Sequence, residues 1–334
     1  MMPTKNVNYG WMLLRCLMCF EVLLIHLWPN NDGPKILFPF VMLKTLPVPV
    51  FFFLSFYLTK NKFLMKSGDV TRNRVFRLIF PQIVWTVLYF FVYVLIGNAV
   101  TIRDFLWQLF TGHSSALNPP MWYMIVLLLI TIAYFFIFMH FSVDTALHVL
   151  CVIFFASVAF EYTGFNERLF GELRFELKYP LGRFVEMIPY SALGFFSAFT
   201  NMYERLKKRA RLFFFILFGI ISVFLLKYSV ITPAPGFGYS VNNCVLLVFF
   251  FAGFAYLSPL ERLPNVILKV IRFCASHTLG IYCAHLLIAS VIRKVRLFDG
   301  MNGFLFSLLV YFVAFTLCHL ASIIPSKFLR SAVD

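Results

Sequence analysis

Arg15, Glu21 and His26 lie inside one apolar stretch, GWMLLRCLMCFEVLLIHLWP over residues 10–29. That stretch is long enough to cross a bilayer. Ionisable side chains are expensive at membrane depth, so an Arg, a Glu and a His in one span read first as functional. Arg15 and His26 stand eleven residues apart, which brings them within about 20° of each other on a helix and about 16 Å apart along its axis. They share a face, with Cys19 and Val22 between them, whereas Glu21 points away toward another helix.

Three further stretches carry reactive or recognising side chains. The run TRNRVFRLIFP places Arg74 and Arg77 three residues apart, with Arg72 nearby, just before another apolar segment. Guanidinium forks suit phosphate; the plainer reading is a topology signal in contact with lipid headgroups. NPPMWYM over residues 118–124 brings Trp122 and Tyr123, which by themselves are interface aromatics. SHTLGIYCAH over residues 276–285 brings Tyr282 and His285, the latter by itself a core histidine. His113, His140, His148 and His319 have no motif around them and are taken as structural. Cys16 and Cys19 form a C-x-x-C without a second pair, so packing explains them better than a metal or redox centre. No metal site is expected.

The elements that must position these residues follow from composition. The chain is 61% hydrophobic and 13% charged, with a mean hydropathy of +0.85, against about 45–50% apolar and 25% charged in soluble domains. This is an all-α integral membrane protein, a single polytopic domain over residues 1–334. Ten membrane segments are expected, at about 10–29, 36–58, 78–97, 121–140, 143–162, 181–201, 211–229, 240–257, 275–293 and 302–324. The first is too long for a signal-peptide core and is read as retained. Pro47 and Pro49 should break or kink the second. Gly182, Arg183, Glu186 and Pro189 make the sixth irregular, with Arg183 and Glu186 neutralising one another. The connection over 98–120 reads as an interfacial segment leading into a turn.

The net charge of +15 sits in short runs between apolar segments, so it concerns orientation and anionic lipid rather than nucleic acid, for which no binding is expected. Lys60, Lys62, Lys66, Arg72, Arg74 and Arg77 after the second segment, and Arg205, Lys207, Lys208, Arg209 and Arg211 after the sixth, belong in the cytoplasm. That puts both termini there, in agreement with Arg262, Lys269, Arg272, Lys327 and Arg330. The opposite loops are mixed, as in Glu167, Arg168, Glu172, Arg174, Glu176 and Lys178, and only Arg293, Lys294 and Arg296, beside Asp299, dissent. Arg15 then lies toward the cytoplasm and His26 toward the exterior.

Taken together, these stretches resemble the acyltransferase-3 family of integral membrane acyltransferases, over nearly the whole chain. The resemblance rests on a basic residue and a histidine at the Arg15–His26 spacing and on VPVFFFLSFY from Val48 to Tyr57, with Ser55 and Tyr57 in place and Phe56 where the family has glycine. It rests also on the R-x-x-R of Arg74 and Arg77, on Trp122 and Tyr123, and on Ser276 (or His277), Tyr282 and His285. It implies transfer of an acyl group, usually acetyl, from cytoplasmic acetyl-CoA or another acyl-CoA to a hydroxyl of an extracytoplasmic polysaccharide or lipid-linked glycan, in the inner or plasma membrane. His26 would be general base or transient acyl carrier, Arg15 its charge-stabilising companion, and Arg72, Arg74 and Arg77 the donor's phosphate site. Ser55, Tyr57, Trp122, Tyr123, Tyr282 and His285 would line the cavity. Partners would be the glycan acceptor and membrane lipids; no oligomeric state follows. A transporter or flippase would also explain intramembrane charges, but it predicts inverted repeats, which are not seen. A sensor without turnover would tolerate loss of His26.

Overall fold

The computed structural model describes residues 8–28, 43, 46–65, 68–114, 116–117, 121–162, 173, 175–209, 241–296, 298 and 300–323. These fold into α1 (Tyr9–Leu27), α2 (Pro47–Tyr57), α3 (Lys60–Leu64), α4 (Gly68–Leu95), α5 (Ile102–Thr111), α6 (Trp122–His140), α7 (Val143–Tyr162), α8 (Phe175–Phe199), α9 (Met202–Arg209), α10 (Val241–Leu257), α11 (Asn265–Ser276), α12 (Thr278–Val295) and α13 (Gly303–Ile323), with no strand among the described residues. Among the described residues six helices are long and apolar enough to cross a membrane: α1, α4 from Arg72, α6, α7 as far as Phe160, α12 and α13. This is a multi-pass membrane protein. Helices also stand at the expected second, sixth and eighth segments, as α2, α8 and α10. The expected seventh segment, residues 118–120, the termini with Lys327 and Arg330, and Lys66, Glu167, Arg168, Glu172, Arg174, Arg211 and Asp299 lie outside the described residues.

One expectation is corrected. The basic run expected just before the third segment belongs to its helix: α4 begins at Gly68, so Arg72, Arg74 and Arg77 are helical, as arginine's good helix propensity allows. The expected ninth segment stands as α12, with the separate helix α11 ending just before it at Ser276. The second segment is interrupted as expected. Helix α2 begins at Pro47, a place where a missing N–H costs nothing.

Apolar side chains cover both sides of the bundle wall. Phe76, Ile83, Phe91 and Leu95 on α4, with Phe312, Leu317, Leu320 and Ile323 on α13, are exposed at helical spacing, a stripe that suits lipid and would be a liability in water. Inside, Phe56, Phe63, Tyr134, Phe138, Phe195 and Phe199 interlock. Helices α2 and α8 pack closely because Gly194 has no side chain: a Cβ there would run into the Phe53 carbonyl. The large Phe56 is accommodated in this packing, fully buried beside Tyr134.

Helix α1 occupies the middle, packed against α2, α10, α11, α12 and α13. Its first turn is capped by Asn8, whose side chain accepts from the Trp11 amide, which satisfies one donor that the helix leaves open. The connection after α4, expected as an interfacial segment leading into a turn, holds a helix. Helix α5 runs back alongside α4, with Phe105 against Phe90 and the Gln82 amide donating to the Gln108 carbonyl at 2.8 Å. Gln82 lies thirteen residues before the end of α4, about 20 Å below it. A capping box between Thr101 and Asp104 starts α5, and Gly112, at φ 71°, ends it against the backbone of Trp122. The Thr101 hydroxyl, bonded to Asp104 at 2.6 Å, holds that carboxyl below its usual range.

Candidate functional site

Helices α1 and α12 lie side by side in the same direction, and this brings the two ends of the sequence together. Arg15 Nη2 donates to Thr278 Oγ1 at 2.9 Å, and Cys19 Sγ donates to the Thr278 carbonyl at 3.4 Å. Seven residues further along each helix, His26 and His285 face each other, ring centres 5.4 Å apart and tilted by 38°. The equal seven-residue steps, Cys19 to His26 and Thr278 to His285, keep the pair in register.

His26 is exposed, although Leu23, Leu24 and Leu27 around it are buried. The lipid-type residue of α1, Leu17 at 46% exposure, lies nine residues earlier and so on the opposite side of the helix. His26 therefore faces the side of α1 opposite its lipid-type residue. His285 is fully buried, and its Nδ1 lies 2.6 Å from the Tyr282 carbonyl. Only a donor can bind a carbonyl oxygen, so in the neutral ring Nδ1 holds the proton and Nε2 is a bare acceptor. That Nε2 has no hydrogen-bond partner among the described residues. A buried acceptor without a partner is costly, and the nearest ring able to offer an N–H is His26.

Aromatic rings connect this pair to the deeper cations. Tyr282 packs 6.1 Å from His285 and 5.3 Å from Tyr123, which in turn stacks edge-on with Phe52 at 5.0 Å. The Tyr123 hydroxyl sits in the field of both Arg15 and Arg74. Arg74 is turned inward. Its Nη2 donates to Ser55 Oγ at 3.0 Å, its Nε to Thr131 Oγ1 at 3.3 Å, and its guanidinium lies 5.5 Å from the centre of the Phe56 ring. One arginine thus joins α2, α4 and α6, with its Nη1 donors still unspent among the described residues. Arg77, 60° round the helix from Arg74, is exposed. Arg72 is exposed too, but two residues of helix set it about 160° from Arg74, so these three do not form one cluster.

Other candidates are not brought together. Trp122 faces away from its neighbour Tyr123, toward Tyr179 at 5.9 Å and the Arg183 guanidinium at 5.6 Å. Tyr57 belongs to a separate group with Trp11 at 4.5 Å and Tyr203 at 5.8 Å. Ser276 is exposed and donates to its own helix at Phe273. Thr278, two residues on, makes the contact with Arg15. Arg183 and Glu186 form the expected ion pair, and Glu21 is buried. His113 stacks on Tyr179 at 4.4 Å, while His140 and His148 bond within their own helices.

Reasoning from sequence missed Thr278, Thr131 and Tyr89. Tyr89 is fully buried; its hydroxyl donates to the Cys283 carbonyl at 2.9 Å and accepts from the Leu287 amide at 3.1 Å, so it grips α12 on either side of His285. A tyrosine inside an apolar run was the available signal. Among the described residues no group of three His, Cys, Asp or Glu could hold a metal. A family model described as an acyltransferase domain matches residues 8–323. No curated protein and no solved structure matches.

Proposed function

This chain belongs to the acyltransferase-3 family, and from that premise we propose that it is an O-acyltransferase moving an acyl group, usually acetyl, from acyl-CoA to a hydroxyl of a polysaccharide or lipid-linked glycan. The observation that carries the reading is the facing of exposed His26 and the bare Nε2 of His285, at the far end of a shared inner face from Arg15 and Arg74. In this reading the end of the bundle with Lys60, Lys62 and Arg77 is cytoplasmic, the bundle has ten spans with both termini cytoplasmic, and it sits in the inner or plasma membrane. Arg77 and the unspent Nη1 of Arg74 meet the donor's phosphates, and the thioester reaches His26 past Tyr123 and Tyr282.

With substrate bound, an N–H of His26 turns to the bare His285 Nε2, which leaves its own other nitrogen open to the acceptor. That nitrogen takes the proton of the acceptor hydroxyl as the oxygen attacks the thioester carbonyl. The C–S bond breaks, the ester C–O bond forms, and the proton passes to the departing CoA thiolate. In a two-step variant the bare nitrogen attacks the thioester, the C–S bond breaks and the CoA thiolate leaves with the ring's N–H proton; the acceptor hydroxyl then takes the acyl group from the acyl-imidazole and its proton returns to His26. His285 is a positioning residue in both.

The test measures free CoA released from acetyl-CoA by the purified protein in nanodiscs, wild type beside His26→Ala and His26→Gln. Slow hydrolysis or transfer that vanishes in both variants supports the reading, and acid-quenched labelled protein separates the one-step from the two-step route. A wild type that neither binds nor turns over acetyl-CoA or longer acyl-CoAs overturns it.

A further inference from the structure

Gln82, Thr86 and Gln108 are buried polar residues that the site above does not use. All three are at most 2% exposed. The Gln82 amide nitrogen is spent on the Gln108 carbonyl at 2.8 Å, which ties α4 to α5 and fixes the orientation of that amide. Among the described residues its Oε1 has no partner, nor do Thr86 Oγ1 and both ends of the Gln108 amide. Four unpartnered polar atoms in the span where α5 folds against α4 are a large standing cost. Together they offer a polar ligand two acceptors, a donor and a hydroxyl.

Their chemistry defines the ligand. Gln82 Oε1 and Gln108 Oε1 accept, Gln108 Nε2 donates, and Thr86 can do either. A chain bearing two secondary amides and a hydroxyl complements this set: two N–H groups for the two acceptors, a carbonyl for the donor, and a hydroxyl for the threonine. Their position defines the path. Along α4, Gln82 lies about 12 Å and Thr86 about 18 Å beyond Arg74, and Tyr89, which brackets His285, about 22 Å beyond it. Arg74, Gln82, Thr86 and Tyr89 fall within one inward third of the helix surface. A flexible arm stretched from phosphates at Arg74 to a thioester at His26 passes this place.

We propose that Gln82, Thr86 and Gln108 form a binding subsite for the two amides and the hydroxyl of the pantetheine arm of the acyl-CoA donor, a proposal that rests on the acyltransferase reading above. The subsite holds the arm in extended form alongside the joined helices α4 and α5, so that the thioester arrives at one depth and not over a range of depths.

The experiment titrates acetyl-CoA, and the adenosine bisphosphate fragment that lacks the arm, into the full chain in nanodiscs by calorimetry. It compares wild type with Thr86→Val and Gln108→Met, which keep shape and remove unpartnered polar atoms. Each variant should weaken acetyl-CoA about fivefold to tenfold per lost hydrogen bond, leave the fragment's affinity unchanged, and leave donor-free thermal stability equal or higher. Equal acetyl-CoA affinity in wild type and both variants overturns the proposal while the acyltransferase reading stands. Loss of donor-free stability, with equal weakening of acetyl-CoA and fragment, overturns it in favour of a structural role. A wild type that binds neither compound overturns the acyltransferase reading and this subsite together.

Discussion

Replacing Arg74 should damage folding and donor binding together, whereas replacing Arg77 should damage donor binding alone. Arg74 makes two hydrogen bonds, to Ser55 and Thr131, and covers the Phe56 ring. Side-chain hydrogen bonds in membrane bundles are worth about 0.6 kcal/mol on average and up to about 1.7. A guanidinium over a ring adds about 0.5–2 kcal/mol. Arg74→Met, which keeps the apolar stem, should therefore cost roughly 2–5 kcal/mol, and Ser55→Ala about 0.6–1.7 kcal/mol. Exposed Arg77→Met should stay within about 0.5 kcal/mol, and its loss of donor affinity should shrink at high salt because exposed charges are screened. Thermal unfolding in nanodiscs, followed by tryptophan fluorescence with and without acetyl-CoA, reads both quantities. Arg74→Met as stable as Arg77→Met would refute the clamp, and the inward hydrogen bonds would then carry no structural weight.

Three further outcomes follow from particular contacts. His285→Phe removes a bare buried nitrogen and should leave stability equal or up to about 1 kcal/mol higher, while CoA release falls by at least about tenfold, within the span that general-base catalysis supplies; unfolding and turnover on one preparation check both. Gly194→Ala drives a methyl into the Phe53 carbonyl and should cost about 1–3 kcal/mol as overpacking between α2 and α8, measured by denaturant or heat; an unchanged midpoint would show that the helices can part freely. Asp104 has its carboxyl held below the ordinary value, so its contribution is present above the unfolded-state pKa and fades as pH falls through the lowered one. The small stability gap between wild type and Asp104→Asn should accordingly close in acid, as a thermal-shift series against pH would show.

What sequence revealed and what it hid divide along a physical line. Arg15 and His26 were legible as one face because both lie on one helix, where 100° per residue settles direction. Arg72, Arg74 and Arg77 were legible as a group but not as a divided one: the run looks like a polar loop, yet α4 extends through it, and the same helical rotation then sends Arg72 away from Arg74. Trp122 and Tyr123 are adjacent letters, and adjacency on a helix means about 100° of separation, so they meet different partners. The acyltransferase resemblance pointed to Ser276, whereas the break at His277 turns Thr278 toward Arg15. No glycine or proline marks that break. Thr131, Tyr89 and the two glutamines depend on which helices are neighbours, and that information belongs to the packed bundle and to no single stretch.

The bond from Arg15 to Thr278 spans 263 residues, and α1 finds four of its five neighbours, α10 to α13, after residue 240. At a synthesis rate of about 5–20 residues per second, roughly 13–50 seconds pass between the emergence of Arg15 and that of its partner. During that interval a helix carrying an arginine, a glutamate and a histidine must be kept out of lipid or be shielded within it. The first helix thus gains most of its polar and helical partners only when the chain beyond residue 240 has been made. A chain cut off before α12 should leave that helix exposed to quality-control proteolysis, however well its other spans have inserted.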